Sequence, residues 1–292
     1  HTGFKGTWLV IWLMKMGAKV CGYSLKEDEN SLFNLVKKDI INELTYKESD
    51  ILNLSDLKDF VFDNQPDIII HLAAQSLVRE SYISPILTWQ VNVIGSLNLL
   101  EASKSISKPC SILMITTDKV YENKEIISGY REEDVLGGYD PYSASKAAAE
   151  IAIRSWRLSF GSDFLNLNIA TARSGNVIGG GDWAKDRIIP DIVRSLKKNQ
   201  TIFIRNPKST RPWQHVLEPL KGYLLLAKSI YGGNQNKDFE MEVLFYAYIP
   251  DSSDKLNTML GFEDNSEFKW EWDEYDLPPG QSLNFTGPLF KK

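Results

Sequence analysis

Short apolar runs alternate with segments of helical periodicity along most of this chain, and that alternation is what most restricts its fold. Leu9, Trp12, Leu13 and Met16 recur at helical spacing, and Gly17 closes the segment. Residues 19–23 read as a short strand, and residues 68–72 as a buried strand after the turn at Pro66-Asp67. Trp89, Val93, Leu97 and Leu100 mark a helix; residues 111–116 read as a strand, 142–159 as a helix and 164–172 as a strand. Strands separated by helices pair in parallel through right-handed crossovers. The expectation is an α/β protein with a doubly wound parallel sheet and helices on both faces.

The rhythm changes in the second part. Residues 188–196 and 219–230 look helical, with a short strand at 202–204 between them. From about residue 232 the pattern weakens into polar and aromatic-acidic stretches. We therefore expect a nucleotide-binding domain over residues 1–172 and a smaller C-terminal substrate-binding lobe over 173–292, with an atypical tail from about 232. With 292 residues, 43% hydrophobic and 24% charged, the chain can bury a large core. Its net charge of −5 argues against nucleic acid or an anionic membrane as partner. Cys21 and Cys110 form no disulfide framework, which fits a reducing cytoplasm. His1, His71 and His215 lie too far apart to suggest a metal site, so none is expected. No apolar run approaches the ~20 residues of a membrane span, and no signal peptide is visible.

Two short strings carry chemistry. Thr116-Thr117-Asp118-Lys119 follows the apolar run 112–115, and Tyr142-Ser143-Ala144-Ser145-Lys146 opens a helix. On a helix, i and i+4 share a face, so the Tyr142 hydroxyl and Lys146 ammonium can address one point. A nearby cation favours phenolate and pulls a tyrosine pKa toward neutrality, making a base for a sugar hydroxyl. The spacing alone occurs by chance in many helices; the polar group at a strand end, where open α/β sheets hold ligands, raises its weight. Gly3 and Gly6 precede the first helix, whose N-terminus would offer N–H donors and a positive dipole end to a pyrophosphate. Taken alone, two glycines can equally be a turn and a helix start.

These strings, with Gly137-Gly138-Tyr139-Asp140-Pro141, Gly175-Asn176-Val177-Ile178-Gly179-Gly180-Gly181-Asp182-Trp183, Arg205-Asn206-Pro207 and Arg211-Pro212-Trp213-Gln214-His215-Val216, resemble the extended short-chain dehydrogenase/reductase family. Within it they are most similar to the sugar-nucleotide 4,6-dehydratases that act on CDP-glucose. The similarity runs over residues 1–231. Related dTDP-glucose enzymes usually carry Thr-Asp-Glu where this chain has Thr117-Asp118-Lys119. The resemblance implies a Rossmann-like fold, NAD as cofactor and CDP-glucose as substrate. The product would be CDP-4-keto-6-deoxyglucose, for deoxysugars of surface polysaccharides such as O-antigen. It also implies a homodimer through a four-helix interface built from residues 89–104 and 142–159.

Roles follow by position. Tyr142, with Lys146, would take the C4 hydroxyl proton while Thr117 bonds the 4-oxygen. Asp118 would be the acid at C6 and Lys119 the base at C5. Gly3, Phe4, Gly6, Asp50, Ile51, Leu72, Ala73, Ala74, Gln75, Asn92 and Thr116 would line the cofactor site, with Tyr142 and Lys146. A structural role for Asn92 has the stronger claim, and Asp50-Ile51 could equally be a helix-entry turn. Arg79, Asn176, Trp183, Arg205, Arg211 and Trp213 would meet the nucleotide sugar. The chain departs from the family in several places. The glycine loop is incomplete, so an apolar strand ending in Thr-Gly is expected upstream of His1. No acid follows residues 19–23 to hold a ribose, so cofactor preference is weakly specified. Residues 232–281 do not match, residues 283–288 carry an added Thr, and the family's last segment is not seen. Two other readings stay open: a different sugar-nucleotide epimerase or dehydratase (for dTDP-glucose or GDP-mannose), which need not have both Asp118 and Lys119, and a non-catalytic nucleotide-binding or interaction fragment.

Overall fold

The computed structural model describes residues 1–124, 126, 129–205, 209 and 211–231, and the backbone of 240–243. Helix α1 (Phe4–Lys15) starts at Gly3 and stops at Gly17, whose φ of 81° suits a residue without Cβ. Strand β1 (Val20–Ser24) is followed by α2 (Leu32–Ile40), capped by the Ser31 hydroxyl on the Asn34 N–H at 3.1 Å. Strand β2 (Leu44–Glu48) pairs in parallel with β1. Then come α3 (Leu54–Asn64), capped by Asn53, and β3 (Ile68–His71). Helices α4 (Val78–Ile83) and α5 (Pro85–Trp89) lead through a wide π-turn at Gln90–Ile94 into α6 (Gly95–Ser103). Strand β4 (Cys110–Ile115), helix α7 (Pro141–Phe160) and strand β5 (Leu167–Ser174) complete the central unit. The remaining elements are β6 (Asn176–Ile178), α8 (Ile188–Lys197), β7 (Trp213–His215), α9 (Leu217–Ile230) and β8 (Glu240–Val243).

Strands β3, β4, β5 and β8 form one parallel sheet in that order. All six residues of β4 are buried, because both faces of this strand are covered. Its side chains alternate between two cores. Ile112 and Met114 pack with Leu99, Leu100, Ile153 and Trp156 of α6 and α7. Leu113 and Ile115 pack with Leu220, Tyr223 and Leu226 of α9, and with Leu9 of α1. The sheet is thus doubly wound, as its alternating pattern requires.

Two details differ from the sequence-based expectation. Among the described residues, β1 and β2 form their own two-stranded sheet, not hydrogen-bonded to β3, and a cavity reaches between them past Gly22, Ile68 and Ile70. Residues 202–204 form no strand: they pair with nothing in the described sheets, and Phe203 is 84% exposed. The small parallel pair β6–β7 takes their place, setting Asn176 opposite Trp213. Beyond residue 172, α9 and β8 return to pack on β4 and β5. Of the expected atypical tail, residues 232–239 and 244–292 lie outside the described residues.

Candidate active site

The site sits at the C-terminal end of β4, where α7 begins. Asp140 caps α7, accepting from the Ser143 N–H at 3.0 Å and the Ser143 hydroxyl at 2.6 Å. Pro141 occupies the first helical position, where its missing N–H costs nothing. Tyr142 is therefore held in the first turn, and Lys146 one turn later on the same face. Both are buried and both line the cavity. The Lys146 ammonium donates to the carbonyl of Ile115, the last residue of β4, at 3.1 Å.

The expectation that Lys146 draws the Tyr142 pKa toward neutrality does not hold for the protein alone. Burial pushes the Tyr142 phenol up to about 12, although a hydrogen bond with Thr117 and the charge of Arg187 pull the other way. Burial also brings Lys146 down to about 8, opposed by the charge of Glu150. Desolvation outweighs the neighbouring charges at both groups.

Thr117 ends the strand and turns the chain into a short 3₁₀ turn over Asp118–Val120. Its hydroxyl donates to Asp118 Oδ1 at 3.1 Å. The Lys119 Nζ donates to the same Asp118 Oδ1 at 3.1 Å and to Asn176 Oδ1 at 3.3 Å. Lys119 lines the cavity, and Asp118, in contact with its ammonium, keeps its side chain 14% exposed. The two expected acid–base groups are thus a contact pair rather than independent groups.

The expected cofactor residues fall into two sets. Gly3, Phe4, Gly6, Asp50, Ile51, Leu72, Ala73, Ala74 and Gln75 all line the cavity. The first N–H groups of α1, from Phe4 to Gly6, have no acceptor within the helix, and Gly3 brings no capping side chain. A Cβ placed on Gly3 would meet nothing within 4 Å, so the backbone there opens onto the cavity. A twelve-residue helix starting in this way fits a dinucleotide pyrophosphate. Asn92 and Thr116 serve otherwise. Asn92 is fully buried, off the cavity; it accepts from the Gln75 N–H at 3.0 Å and donates to the Ser145 hydroxyl at 2.9 Å. It braces the Leu72–Gln75 turn against α7, because its amide is spent on protein groups. Thr116 lines the cavity, but its hydroxyl donates to Glu150. Asp50 accepts from the Leu52 N–H at 2.9 Å, the helix-entry turn that the sequence left open.

The expected substrate residues line the same cavity. Arg79 and Arg205 both donate to Asp186 Oδ1 at 2.8 Å, which brings two guanidinium forks from distant segments to one point. Asn176, Trp183, Arg211 and Trp213 line the cavity as well. Trp183 holds its ring against Lys197 at 5.0 Å.

Sequence reading missed several groups here. Lys5 lies between the two loop glycines, and its Nζ donates to the Ser174 hydroxyl at 3.0 Å. Burial first, then the charges of Arg187 and Lys146, bring its pKa down to about 7. Arg187, paired with Asp182 at 2.9 Å, projects its charge on Tyr142 and on Lys5. Tyr223 donates to Ser174 at 2.9 Å. Only the Lys5 position offered a sequence signal, a charged residue inside a glycine turn.

The model of the family described as GDP-mannose 4,6 dehydratase matches residues 1–240. A CDP-glucose 4,6-dehydratase of Salmonella typhimurium is 48% identical over 237 residues, covering 79% of this chain and 65% of that protein. A dTDP-D-glucose 4,6-dehydratase of Dictyostelium discoideum is 29% identical, covering 83% of this chain and 58% of its own length. The chain therefore spans about three fifths to two thirds of these relatives. A dTDP-glucose 4,6-dehydratase of Streptomyces venezuelae, solved with NAD bound, superposes with a TM-score of 0.68 at 25% identity, over 79% of this chain and 71% of that one.

Proposed function

Because the chain belongs to the GDP-mannose 4,6 dehydratase family, we propose that its site dehydrates a nucleotide-linked hexose, taking CDP-glucose to CDP-4-keto-6-deoxyglucose with NAD as cofactor. The reaction is that of a hydro-lyase with an internal oxidation and reduction. The observation that carries this reading is the Asp118–Lys119 pair at the end of β4, beside Tyr142 and Lys146. An epimerase needs a base at C4 alone; a dehydratase also needs proton transfer at C5 and C6. The 48% identity to a CDP-glucose enzyme supports the choice of nucleotide.

The residues divide the work. The first-turn N–H groups of α1 and the Leu72–Gln75 turn would hold NAD, which supplies a two-electron acceptor at C4 and donor at C6. Tyr142 takes the proton of the C4 hydroxyl, with Thr117 bonding the oxygen. The ketone at C4 then acidifies the C5 hydrogen. Asp118 and Lys119 share one mobile proton: moving it from ammonium to carboxylate leaves a neutral amine and a carboxylic acid, the base and the acid that elimination requires. Lys119 takes the C5 proton, Asp118 protonates the C6 hydroxyl, and water leaves. Arg79, Arg205 and Arg211 supply planar donors for a diphosphate, and Trp183 and Trp213 offer faces for the base and sugar.

Direct comparison of kcat/KM on CDP-glucose, dTDP-glucose and GDP-mannose tests the reading. CDP-glucose should be preferred by roughly tenfold or more, a binding difference of about 1.4 kcal/mol. A preference for dTDP-glucose would move the chain to another nucleotide; no 4-keto-6-deoxy product from any of the three would remove the dehydratase reading. We assign residues 1–172 to the cofactor and the lobe from residue 173 onward to the substrate. We also place the protein in the cytoplasm. Both cysteines are free, and no described helix is long and apolar enough to cross a membrane.

A further inference from the structure

A buried ion pair lies directly behind the catalytic face of α7. Glu150 follows Lys146 by one helical turn and Tyr142 by two. Glu150 and Arg173 of β5 are 3% and 2% exposed, an unusual depth for two charged residues. Arg173 Nε donates to both Glu150 oxygens, at 2.9 and 3.0 Å, and its Nη2 also reaches Oε2. Its Nη1 donates to the Tyr121 hydroxyl at 3.0 Å and to the Glu132 carbonyl at 3.1 Å. Held in this way, Glu150 accepts the hydroxyl proton of Thr116.

Two consecutive turns of α7 therefore grip two consecutive residues at the end of β4. Lys146 holds the carbonyl of Ile115 and Glu150 holds the hydroxyl of Thr116. The next three residues are Thr117, Asp118 and Lys119. A buried ion pair is by itself weak evidence for stability, since such pairs can often be replaced by apolar residues of similar volume without loss. We propose that Glu150, clamped by Arg173, is a positioning residue: it sets the height of Thr117–Lys119 against Tyr142. The proposal rests on the dehydratase reading for its kinetic consequence, while its structural consequence stands apart from that reading. A displacement of about 1 Å at a reacting group can cost roughly 10²-fold in rate.

Two variants test it. Glu150→Leu with Arg173→Met removes both charges together and avoids leaving one unpaired. Thr116→Val removes only the hydroxyl that Glu150 holds and should fold in any case. Each is followed by thermal melting, by kcat and KM on CDP-glucose, and by hydrogen exchange of the amides of residues 117–119. Both variants should melt near the parent, exchange faster at residues 117–119, and lose roughly 10²-fold in kcat with KM little changed. Parent-like kcat with parent-like exchange in a folded variant would overturn the proposal, and so would a loss confined to KM. If the double variant does not fold, Thr116→Val decides alone. If the parent turns over no nucleotide sugar, the dehydratase reading fails, and exchange at residues 117–119 still decides whether Glu150 positions them.

Discussion

Lys119 and Tyr142 would meet the hexose at different carbons, so removing each should stop the reaction at a different point. Tyr142→Phe deletes the base at C4 and should abolish oxidation together with every later step. Lys119→Met should spare oxidation and slow C5 proton removal by ~10²–10⁴-fold, the usual cost of losing a general base. A quenched single turnover should then show 4-keto hexose nucleotide building up in Lys119→Met and none in Tyr142→Phe. Dehydration by Lys119→Met at the parent rate would reduce Lys119 to a partner of Asp118 and Asn176. These two residues were legible from sequence because each belongs to a compact string. Arg187 and Glu150 were not, since their importance comes from burial and from neighbours far away in the chain.

At the scale of elements, the catalytic geometry depends on how α7 begins. Gly138 lies so close to that start that a Cβ on it would sit 2.2 Å from the Ser143 backbone carbon. Asp140 then satisfies the Ser143 N–H and fixes Tyr142 in the first turn. Asp140→Ala should cost about 1 kcal/mol of stability, within the 0.5–2 kcal/mol expected of a lost cap. It should lower kcat more than it raises KM, because the frayed turn carries the C4 base rather than the nucleotide wall. Calorimetry and steady-state kinetics on one preparation check both parts; unchanged melting and kcat would show that Pro141 alone suffices to start the helix.

At the scale of the molecule, the outer face of α4, α5 and α7 carries apolar side chains that no described residue covers. Ile83, Ile86 and Leu158 are 75, 71 and 75% exposed, and Trp89, Ile94 and Ile151 extend the patch. Clustered exposed apolar side chains are a common feature of interaction surfaces. We propose that it joins two copies, each contributing two helical layers. Sedimentation equilibrium should show a dimer for the parent and a monomer for Leu158→Glu, which places like charges across the symmetric contact. A parent that sediments as a monomer at micromolar concentration would show this interface wrong.

The parallel α/β class could be read from the chain because strand and helix periods are local. A buried strand such as β4 must be apolar throughout, and a helix such as α7 must repeat its apolar face. The strings at residues 116–119 and 142–146 are local for the same reason: their spacing alone puts their groups at one strand end and on one helix face. Residues 202–204 show the limit. Two isoleucines flanking Phe203 suit a strand, but a strand exists only where a partner edge is available, and these residues pair with none in the described sheets. Protonation was likewise beyond local reading. Sequence put a cation beside Tyr142 and implied a lowered pKa, but the folded protein buries both groups, and desolvation pushes the phenol up to about 12. The two arginines on Asp186 and the Arg173 clamp on Glu150 join residues far apart in the chain. Local spacing determined which groups could act; only long-range packing decided which were held, how deeply, and against what.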